Sequence, residues 1–234
     1  MAPTVPTAQL MVAGAFSADS RSLRKRLKIT DEIHSTPLHY YQGLHEASGR
    51  RVDVLVTGLG EQNIRHAIGI LRKSLASLNA VVLVGAAAAL DPALTPADLV
   101  VADRVFNHHG DKYIINPSHV DLLRSTRPEN IPARVGPLVS VDRPAITVLG
   151  KQELHQQFHA LSVDTESYLW AEMCHGLNLR LGVLRGVAAT ACETLPMDGA
   201  DHDVAALSRE TVLSRMELVA DRCADWLEAL LGVV

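Results

Sequence analysis

The sequence predicts an α/β protein whose strands are covered by helices on both faces. Short apolar runs rich in Val, Leu and Ala alternate with segments whose apolar residues recur at helical spacing. The chain has 234 residues, of which 47% are hydrophobic, and it contains no internal repeat, low-complexity tract or dividing linker. Because a chain of this size can bury one sizeable core, residues 1–234 are expected to form a single domain.

Strands are expected wherever an apolar run has strand length. In chain order these runs are Gln9–Ala13, Arg51–Thr57, Ala80–Val84, Leu99–Val105, Gly136–Val141, Ala160–Asp164 and Arg180–Val187.

Helices are expected between these strands and at the end of the chain. They are Asp19–Leu27, Asn63–Ser77, Ser167–Gly176 and a closing helix from about Asp203 to Leu231. The closing helix repeats apolar residues at spacings of four and three, which favours docking on the core over binding a partner. Residues 107–134, with one glycine and three prolines, are expected to form a long irregular surface segment.

The composition disfavours several classes of function. The net charge is −4 and no basic stripe is interleaved with aromatics, so nucleic acid is disfavoured as a partner. No stretch reaches the roughly 18 apolar residues of a membrane span, and the N-terminus lacks the basic region of a secretory signal. Three cysteines without paired spacing disfavour a disulfide framework or structural zinc. We therefore expect a cytoplasmic protein.

Two segments join an apolar strand to a loop of small residues. Val54–Gly60 ends in two glycines ahead of a helix near Asn63, which suits either close approach of an anionic ligand or a tight strand-to-helix turn. Asn63 stands where a dinucleotide motif has its third glycine, so a nicotinamide-dinucleotide enzyme is disfavoured. Val81–Asp103 runs from a strand through alanines and an Asp-Pro turn into a new strand.

These segments resemble the nucleoside phosphorylase and nucleosidase superfamily. Val84–Asp103 is similar to the family's T-G-S-A-G-G-L-D-P-x-L-x-x-G-D-I-V-V-x-D, and Val54–Asn63 is similar to its V-x-x-T-G-x-G-x-x-N. Gly136–Asp142 resembles its G-x-x-x-S-x-D strand, and Val163–Glu166 resembles its V-D-M-E. The resemblance covers about residues 10–195 and is nearest to methylthioadenosine and S-adenosylhomocysteine nucleosidases and the hopanoid-associated phosphorylase-like group.

The resemblance implies a three-layer nucleoside phosphorylase-like fold, with a central mixed, partly barrel-like sheet flanked by helices. It also implies a homo-oligomer that takes a nucleoside-like small molecule and needs no cofactor or metal. In such enzymes one carboxylate binds the ribose, a second acidic residue activates water, and an aspartate hydrogen-bonds or protonates the leaving purine.

The resemblance carries over to individual residues. Glu166 corresponds to the ribose-binding carboxylate, with a solvated helix-start Glu as the alternative, and Thr165 stands where the family has methionine. Asp19 corresponds to the water-activating glutamate but is one methylene shorter, and an Asp that favours the helix dipole is its alternative. The remaining implied substrate contacts are Gly58, Gly60, Gly85, Ala86, Ala189 and His108.

The departures from the family pattern lie at the positions that the family uses for catalysis. Ala188 and Ala189 replace the Ser-Asp pair of V-R-x-x-S-D-x-A, and loss of such an acid typically costs about 10² to 10⁴ in rate. Alanines also replace the serine and glycines of the T-G-S-A-G-G loop. Phosphorylases of the family place an anion-binding arginine in the stretch that corresponds to Val84–Leu90, and this chain has none there. The resemblance therefore favours hydrolysis over phosphorolysis.

Four side chains could replace the missing acid, although a surface-loop role is the alternative for each. Glu193 and Asp198 follow the strand, and His108 and His109 lie in a loop that resembles the nucleoside-covering region. Glu193 is taken, together with Asp19, as a candidate catalytic residue.

A pair of histidines gives weak support for a metal site. His155 and His159, at i and i+4, could chelate a metal, but no third ligand accompanies them, which favours an exposed helix face. The sequence thus predicts cleavage of the N-glycosidic bond of a purine nucleoside. The alternative is a catalytically impaired paralogue that binds a nucleoside or another small ligand without turnover.

Overall fold

The computed structural model describes residues 9–75, 78–145, 147–196 and 206–233. The strands are β1 (Gln9–Gly14), β2 (Lys28–Ser35), β3 (Leu38–His45), β4 (Arg50–Val56), β5 (Leu78–Ala89), β6 (Leu99–Asn107), β7 (Lys112–Ile114), β8 (Ala133–Ser140), β9 (Ser162–Asp164) and β10 (Arg180–Ala189). The helices are α1 (Arg21–Arg24), α2 (Glu61–Leu75), α3 (Pro117–Ser125), α4 (Val148–Phe158), α5 (Ser167–Gly176) and α6 (Arg209–Val233).

The strands form one mixed sheet that closes on itself. β5 pairs in parallel with β10, which pairs antiparallel with β6. β6 and β8 then pair in parallel, as do β8 and β9, and β9 returns antiparallel to β5. The sheet extends from β5 through β1, β4, β3 and β2, and β7 lies against β6. The predicted α/β fold, with a mixed and partly barrel-like sheet flanked by helices, is confirmed.

The core lies on both faces of the central strands. β10 is buried from Leu181 to its end and β5 is buried throughout Val81–Val84, as expected for strands that read as continuous apolar runs. Helix α6 packs on these two strands and buries Cys223 and Trp226, so its predicted docking on the core is confirmed. None of the helices in the described ranges is long and apolar enough to cross a membrane.

The β2–β3 hairpin is missing from the sequence-based prediction. Every residue of β2 is exposed, because the strand lies at the edge of the sheet with neither face covered. A strand in this position carries no apolar run, and only its pairing with β3 identifies it.

Residues 107–134 are more regular than predicted. The segment contains β7 and α3, and Pro117 begins α3. The side chain of Asn116 caps that helix by accepting a hydrogen bond from the Ser118 amide. Proline suits the first turn of a helix, so it marks a helix start here and not an irregular loop.

Several helix boundaries in the structure also differ from the predicted ones. The helix after β1 is restricted to α1, because Asp19 belongs to the preceding turn, where Phe16 N donates to it over 2.8 Å. Helix α2 begins at Glu61, and the predicted end at Ser77 lies outside the described residues. Helix α6 begins at Arg209, and Asp203 likewise lies outside them.

The histidine pair does not share a helix face. Helix α4 ends at Phe158, and His159 follows in the left-handed conformation with φ of 49°. His155 Nδ1 lies 2.9 Å from the Ala160 carbonyl oxygen. In the part of the chain that the structure describes, no group of three or more His, Cys, Asp or Glu side chains is placed to hold a metal ion.

Candidate active site

A cavity of about 200 Å³ opens where β5 and β10 end beside the short strand β9. Ala88 of β5 pairs with Ala189 of β10 and with Val163 of β9, so the three strands meet there. We call this space the central cavity. Its lining residues are Ala15, Phe16, Asp19, Leu59, Ala86, Ala87, Ala88, Pro144, Ala145, Val163, Asp164, Thr165, Glu166, Arg185, Ala188, Ala189, Leu195, Val212 and Met216.

Arg185 is the centre of the charged part of the cavity. Its side chain is 2% exposed, and Nε lies 2.7 Å from Asp164 Oδ2. Nη2 donates to Glu166 Oε2 over 3.1 Å, and Nη1 donates to the Val84 carbonyl over 2.9 Å. A buried guanidinium needs such partners, because an unpaired charge in the interior is strongly unfavourable.

Asp164 fixes the turn that presents Glu166. Its Oδ1 accepts a hydrogen bond from Ser140 Oγ over 2.6 Å and from the amides of Glu166 and Ser167 over 3.2 Å each. The amides belong to the start of α5, where the helix dipole favours a negative charge. The position of Glu166 is therefore set by bonds that include β8, β9 and α5.

Glu166 is 3% exposed, and its burial raises its pKa to about 7. The positive charge of Arg185 opposes this rise, whereas the charges of Asp164 and Asp19 add to it. The carboxyl group therefore changes protonation near neutral pH, and a cation or hydroxyl donor entering the cavity would favour its ionised form.

Asp19 reaches the same cluster from the turn after β1. It is 5% exposed, and burial raises its pKa against the opposing effects of the Phe16 amide and the charge of Arg185. Asp19 and Glu166 thus approach Arg185 from distant parts of the sequence. Two carboxyl groups with raised pKa values in one cavity are typical of catalytic sites.

Gly85 makes the close approach of these groups possible. Its φ is 140°, and a Cβ atom at this position would lie 2.7 Å from Arg185 Nη1 and 3.2 Å from Asp19 Cγ. Gly85 does not itself line the central cavity. Its predicted part in substrate binding is thereby reduced to leaving room for the charged side chains.

One wall of the central cavity is apolar. Within the described residues, this wall carries no side chain that can donate a hydrogen bond. It is formed by Ala86, Ala87, Ala88, Ala188, Ala189, Leu195, Val212 and Met216. Ala189 is fully buried. Its correspondence to the leaving-group acid stays a prediction.

The structure brings together five of the residues predicted from the sequence. Asp19, Thr165, Glu166, Ala86 and Ala189 all line the central cavity.

Other predicted contacts lie in a neighbouring groove of about 550 Å³, which we call the side groove. It contains Gly60 and His108 and shares Leu59, Pro144 and Thr165 with the central cavity. His108 Nε2 lies 3.5 Å from Asp142 Oδ2. A ligand that extends out of the central cavity past Thr165 would reach His108.

Gly58 lies in neither space. Its φ is 75°, and a Cβ atom here would lie 2.9 Å from Pro37 Cβ. The geometry therefore supports the tight-turn interpretation of this glycine over the ligand-contact one.

Glu193 lies outside the lining of the central cavity. Arg215 forms two bonds to its carboxylate, at 2.7 and 2.9 Å, and the Thr190 amide donates a third at 2.8 Å. The bond from Arg215 lowers the pKa of Glu193 to about 2. A carboxylate held ionised in this way is a poor proton donor, so the geometry favours a structural role for Glu193. Asp198 lies outside the described residues.

Lys151 holds the turn that follows β10. It is fully buried, and Nζ donates to the carbonyls of Thr190 and Glu193 over 2.8 and 2.7 Å. Burial lowers the pKa of Lys151 to about 8. The chain beyond Ala189 is therefore tied to α4, which keeps the apolar wall in place.

The sequence-based reasoning missed Arg185 and Asp164 as site residues. A signal for Arg185 was present, because a single charged residue interrupts the otherwise apolar strand 181–189. A buried charge inside such a strand requires nearby carboxylates. Asp164 has a similar signal, since it ends a buried strand two residues before Glu166.

The family model of the Phosphorylase superfamily matches residues 12–232. Among curated proteins, 5′-methylthioadenosine/S-adenosylhomocysteine nucleosidase of Staphylococcus aureus (strain JH9) is 24% identical over 198 residues, which cover 77% of this chain and 86% of that protein.

Two solved structures illustrate the likeness in fold. One is 5′-methylthioadenosine/S-adenosylhomocysteine nucleosidase of Neisseria meningitidis in complex with methylthio-immucillin-A, with a TM-score of 0.82, 18% identity and coverage of 97% of this chain and 99% of that one. The other is futalosine hydrolase of Helicobacter pylori strain 26695, with a TM-score of 0.81, 17% identity and coverage of 97% and 98%.

Proposed function

Because the chain belongs to the phosphorylase superfamily, we propose that it cleaves the N-glycosidic bond of a purine nucleoside by hydrolysis. The observation that carries this proposal is the convergence of Asp19 and Glu166 on Arg185 in the central cavity. Two acidic groups in one cleft suit cleavage of a glycosidic bond, because one can stabilise the cationic sugar while the other activates water.

Glu166 is the proposed ribose-binding residue. Its ionised carboxylate can accept hydrogen bonds from both hydroxyls of a cis-diol. Arg185 already occupies Oε2 over 3.1 Å, which orients the group and favours its charged form. Binding a diol would add two donors and lower the pKa of Glu166 further.

Asp19 is the proposed water-activating residue. Its raised pKa makes it a better proton acceptor than an exposed aspartate. The Phe16 amide fixes Oδ2 in place. In the reaction, water attacks C1′ while the bond to the base breaks, and a carboxylate takes the proton that the water loses. The base leaves with the electron pair of the broken bond and takes a proton from solvent.

Hydrolysis is favoured over phosphorolysis by the small number of cations that line the central cavity. Arg185 is the one cation among the described residues that line the central cavity, and its donors are directed at Asp164, Glu166 and the Val84 carbonyl. Phosphate binding needs donors that are not already committed to carboxylates.

The proposal of a purine nucleoside as the substrate rests on the name of the curated relative. The Staphylococcus aureus relative is a nucleosidase for 5′-methylthioadenosine and S-adenosylhomocysteine. The side groove beyond Thr165 offers space for a 5′ substituent.

The test is an assay of free base. The protein is incubated with 5′-methylthioadenosine, S-adenosylhomocysteine, adenosine and inosine, with and without phosphate. We expect base release that does not depend on phosphate and that falls at least about 100-fold in Glu166→Gln and Asp19→Asn. Glu153→Gln, an exposed change on α4, is the matched control and should retain activity. Phosphate-dependent release would contradict the hydrolytic mechanism.

The alternative function is ligand binding without turnover. It is favoured by the apolar wall at Ala188 and Ala189, because the described side chains that form this wall carry no proton for a departing base. In that case the nucleosides would raise the melting temperature and release no base.

The homo-oligomeric state implied by the resemblance and the expected cytoplasmic location stay predictions. Light scattering coupled to size-exclusion chromatography tests the oligomeric state.

A further inference from the structure

We propose that the central cavity is selective for nucleosides whose base carries a fixed positive charge, such as N7-alkylated purine ribosides and pyridinium ribosides. The inference rests on the proposed hydrolytic function and names its substrate class. Two features of the cavity carry it: the apolar wall and the excess of carboxylates over cations.

The apolar wall determines how the base can leave. An ordinary purine departs as an anion unless an acid protonates it, and a general acid contributes about 10² to 10⁴ in rate. Ala86, Ala188 and Ala189 offer no such proton, and neither do Leu195, Val212 and Met216 of the same wall. Asp19 and Glu166 line the same cavity with raised pKa values, but both belong to the charged cluster around Arg185 and not to the wall. Glu193 is held ionised by Arg215 outside the lining.

A cationic base needs no acid. When the C1′–N bond breaks, its electron pair neutralises the positive charge on the base, which leaves as a neutral molecule. The water oxygen bonds to C1′, and the proton lost from the water passes to Asp19 and then to solvent. The overall reaction of a cationic riboside with water yields ribose, neutral base and one proton, so it needs no further reactant.

The charges that line the cavity favour a cationic ligand. Asp19, Asp164 and Glu166 contribute three carboxyl groups, whereas Arg185 is the one cation among the described lining residues. When the carboxyl groups are ionised, the cavity carries a net negative charge. Because the site is partly desolvated, this charge attracts a cation more strongly than the same charge would in bulk water. A neutral nucleoside gains from this excess only as positive charge develops on its sugar, whereas a cationic one is also attracted when it binds.

The two features act together in the same space. The carboxylates lie around Arg185, where the proposed function places the sugar and where positive charge develops as the bond breaks. The wall at Ala189 is apolar enough to hold a flat ring. Among the described residues, the site therefore retains the groups that a cationic riboside requires, and its wall lacks the group that only a neutral purine requires.

The experiment compares two substrates that differ by one methyl group. The full chain is assayed with inosine and 7-methylinosine, without phosphate, and nicotinamide riboside serves as a second cationic probe. We expect kcat/KM for 7-methylinosine to exceed that for inosine by at least about 100-fold, after division by the uncatalysed rate of each, and nicotinamide riboside to be cleaved. Equal normalised values would overturn the inference while leaving the proposed hydrolysis intact.

An acid restored at the wall gives the complementary test. Ala189→Asp is expected to lower the ratio of the two kcat/KM values at least about tenfold by raising the value for inosine. An unchanged ratio in a variant that melts like the wild type would contradict the assigned role of the wall.

Asp198→Asn tests the segment beyond the described residues. If it abolishes wild-type inosine cleavage, Asp198 is the acid and the inference is wrong. If none of the three substrates is cleaved by the wild type, the proposed function itself is wrong.

Discussion

Arg185 donates a hydrogen bond to Glu166 Oε2 over 3.1 Å, and neither side chain is more than 4% exposed. Asp164 lies against the same guanidinium at 2.7 Å, so one cation serves two buried carboxylates. Removing one partner of a buried ion pair is strongly unfavourable, because the charges left behind have no compensation. The stability of the fold and the geometry of the candidate site therefore depend on the same bond.

Replacing Arg185 by Met should destabilise the protein by about 3 to 5 kcal/mol, because Asp164 and Glu166 would remain buried without a cation. Urea unfolding at neutral pH measures the effect. Arg134→Met is the matched control, since Arg134 pairs with Asp91 at a half-exposed position and should cost about 1 kcal/mol or less. Equal effects of the two changes would contradict the central part given to Arg185.

The raised pKa of Glu166 predicts a pH-dependent effect on stability. The group titrates near pH 7 in the folded protein against an ordinary value of 4.5, so the folded state binds more protons than the unfolded state between these values. Its contribution to stability therefore falls as pH rises from about 4.5 to about 7 and stays low above that.

Glu166→Gln removes this titration. The melting temperature of the variant minus that of the wild type should be more positive at about pH 8 than at about pH 5, and differential scanning calorimetry at both values measures the change. A difference that is the same at both pH values would show that the Glu166 pKa is not raised by folding.

Gly85→Ala should disturb the charged cluster directly. The added Cβ would lie 2.7 Å from Arg185 Nη1, and the backbone φ of 140° is unfavourable for alanine. We expect a loss of several degrees in melting temperature together with loss of ligand binding. Gly69→Ala is the control, because Gly69 is exposed on α2 and a Cβ added there would meet no atom within 4 Å, so the change should keep or raise the melting temperature.

The ion pair between Glu193 and Arg215 predicts the opposite pH dependence. The pKa of Glu193 is lowered to about 2 from 4.5, so the pair stabilises the fold above about pH 4.5 and this contribution is lost as pH falls towards 2. Glu193→Gln should therefore lower the melting temperature at about pH 7 and have a smaller effect at about pH 3. Glu129→Gln, at an exposed position, should show no such difference. A catalytic role for Glu193 would instead reduce turnover in a variant of unchanged stability.

The central strands could be predicted from the sequence because they are buried on both faces. β5 and β10 read as apolar runs without alternation, and α6 carries a clear apolar stripe, so local patterns identify them. The β2–β3 hairpin could not be identified in this way. Its outer strand is exposed along its whole length and is defined by hydrogen bonds to a neighbour.

The candidate site was predictable only in part for a similar reason. Asp19 and Glu166 stand in recognisable motifs, and both line the central cavity. The roles of Arg185 and Gly85 depend on distances between segments far apart in the chain. Glu193 looked available in the sequence because its partner, Arg215, lies 22 residues further on, in α6.

Strand β5 has a consequence for how the site is assembled. It pairs with β1 over its first half, with β10 along most of its length and with β9 at its end. The turn that holds Asp19, the strand that holds Arg185 and the strand that precedes Glu166 are therefore all aligned by one strand. A shift of β5 by a single residue would displace the three groups at once. Ligand binding should accordingly require β1, β5, β9 and β10 together, and a fragment that lacks β1 or β10 should not retain the site.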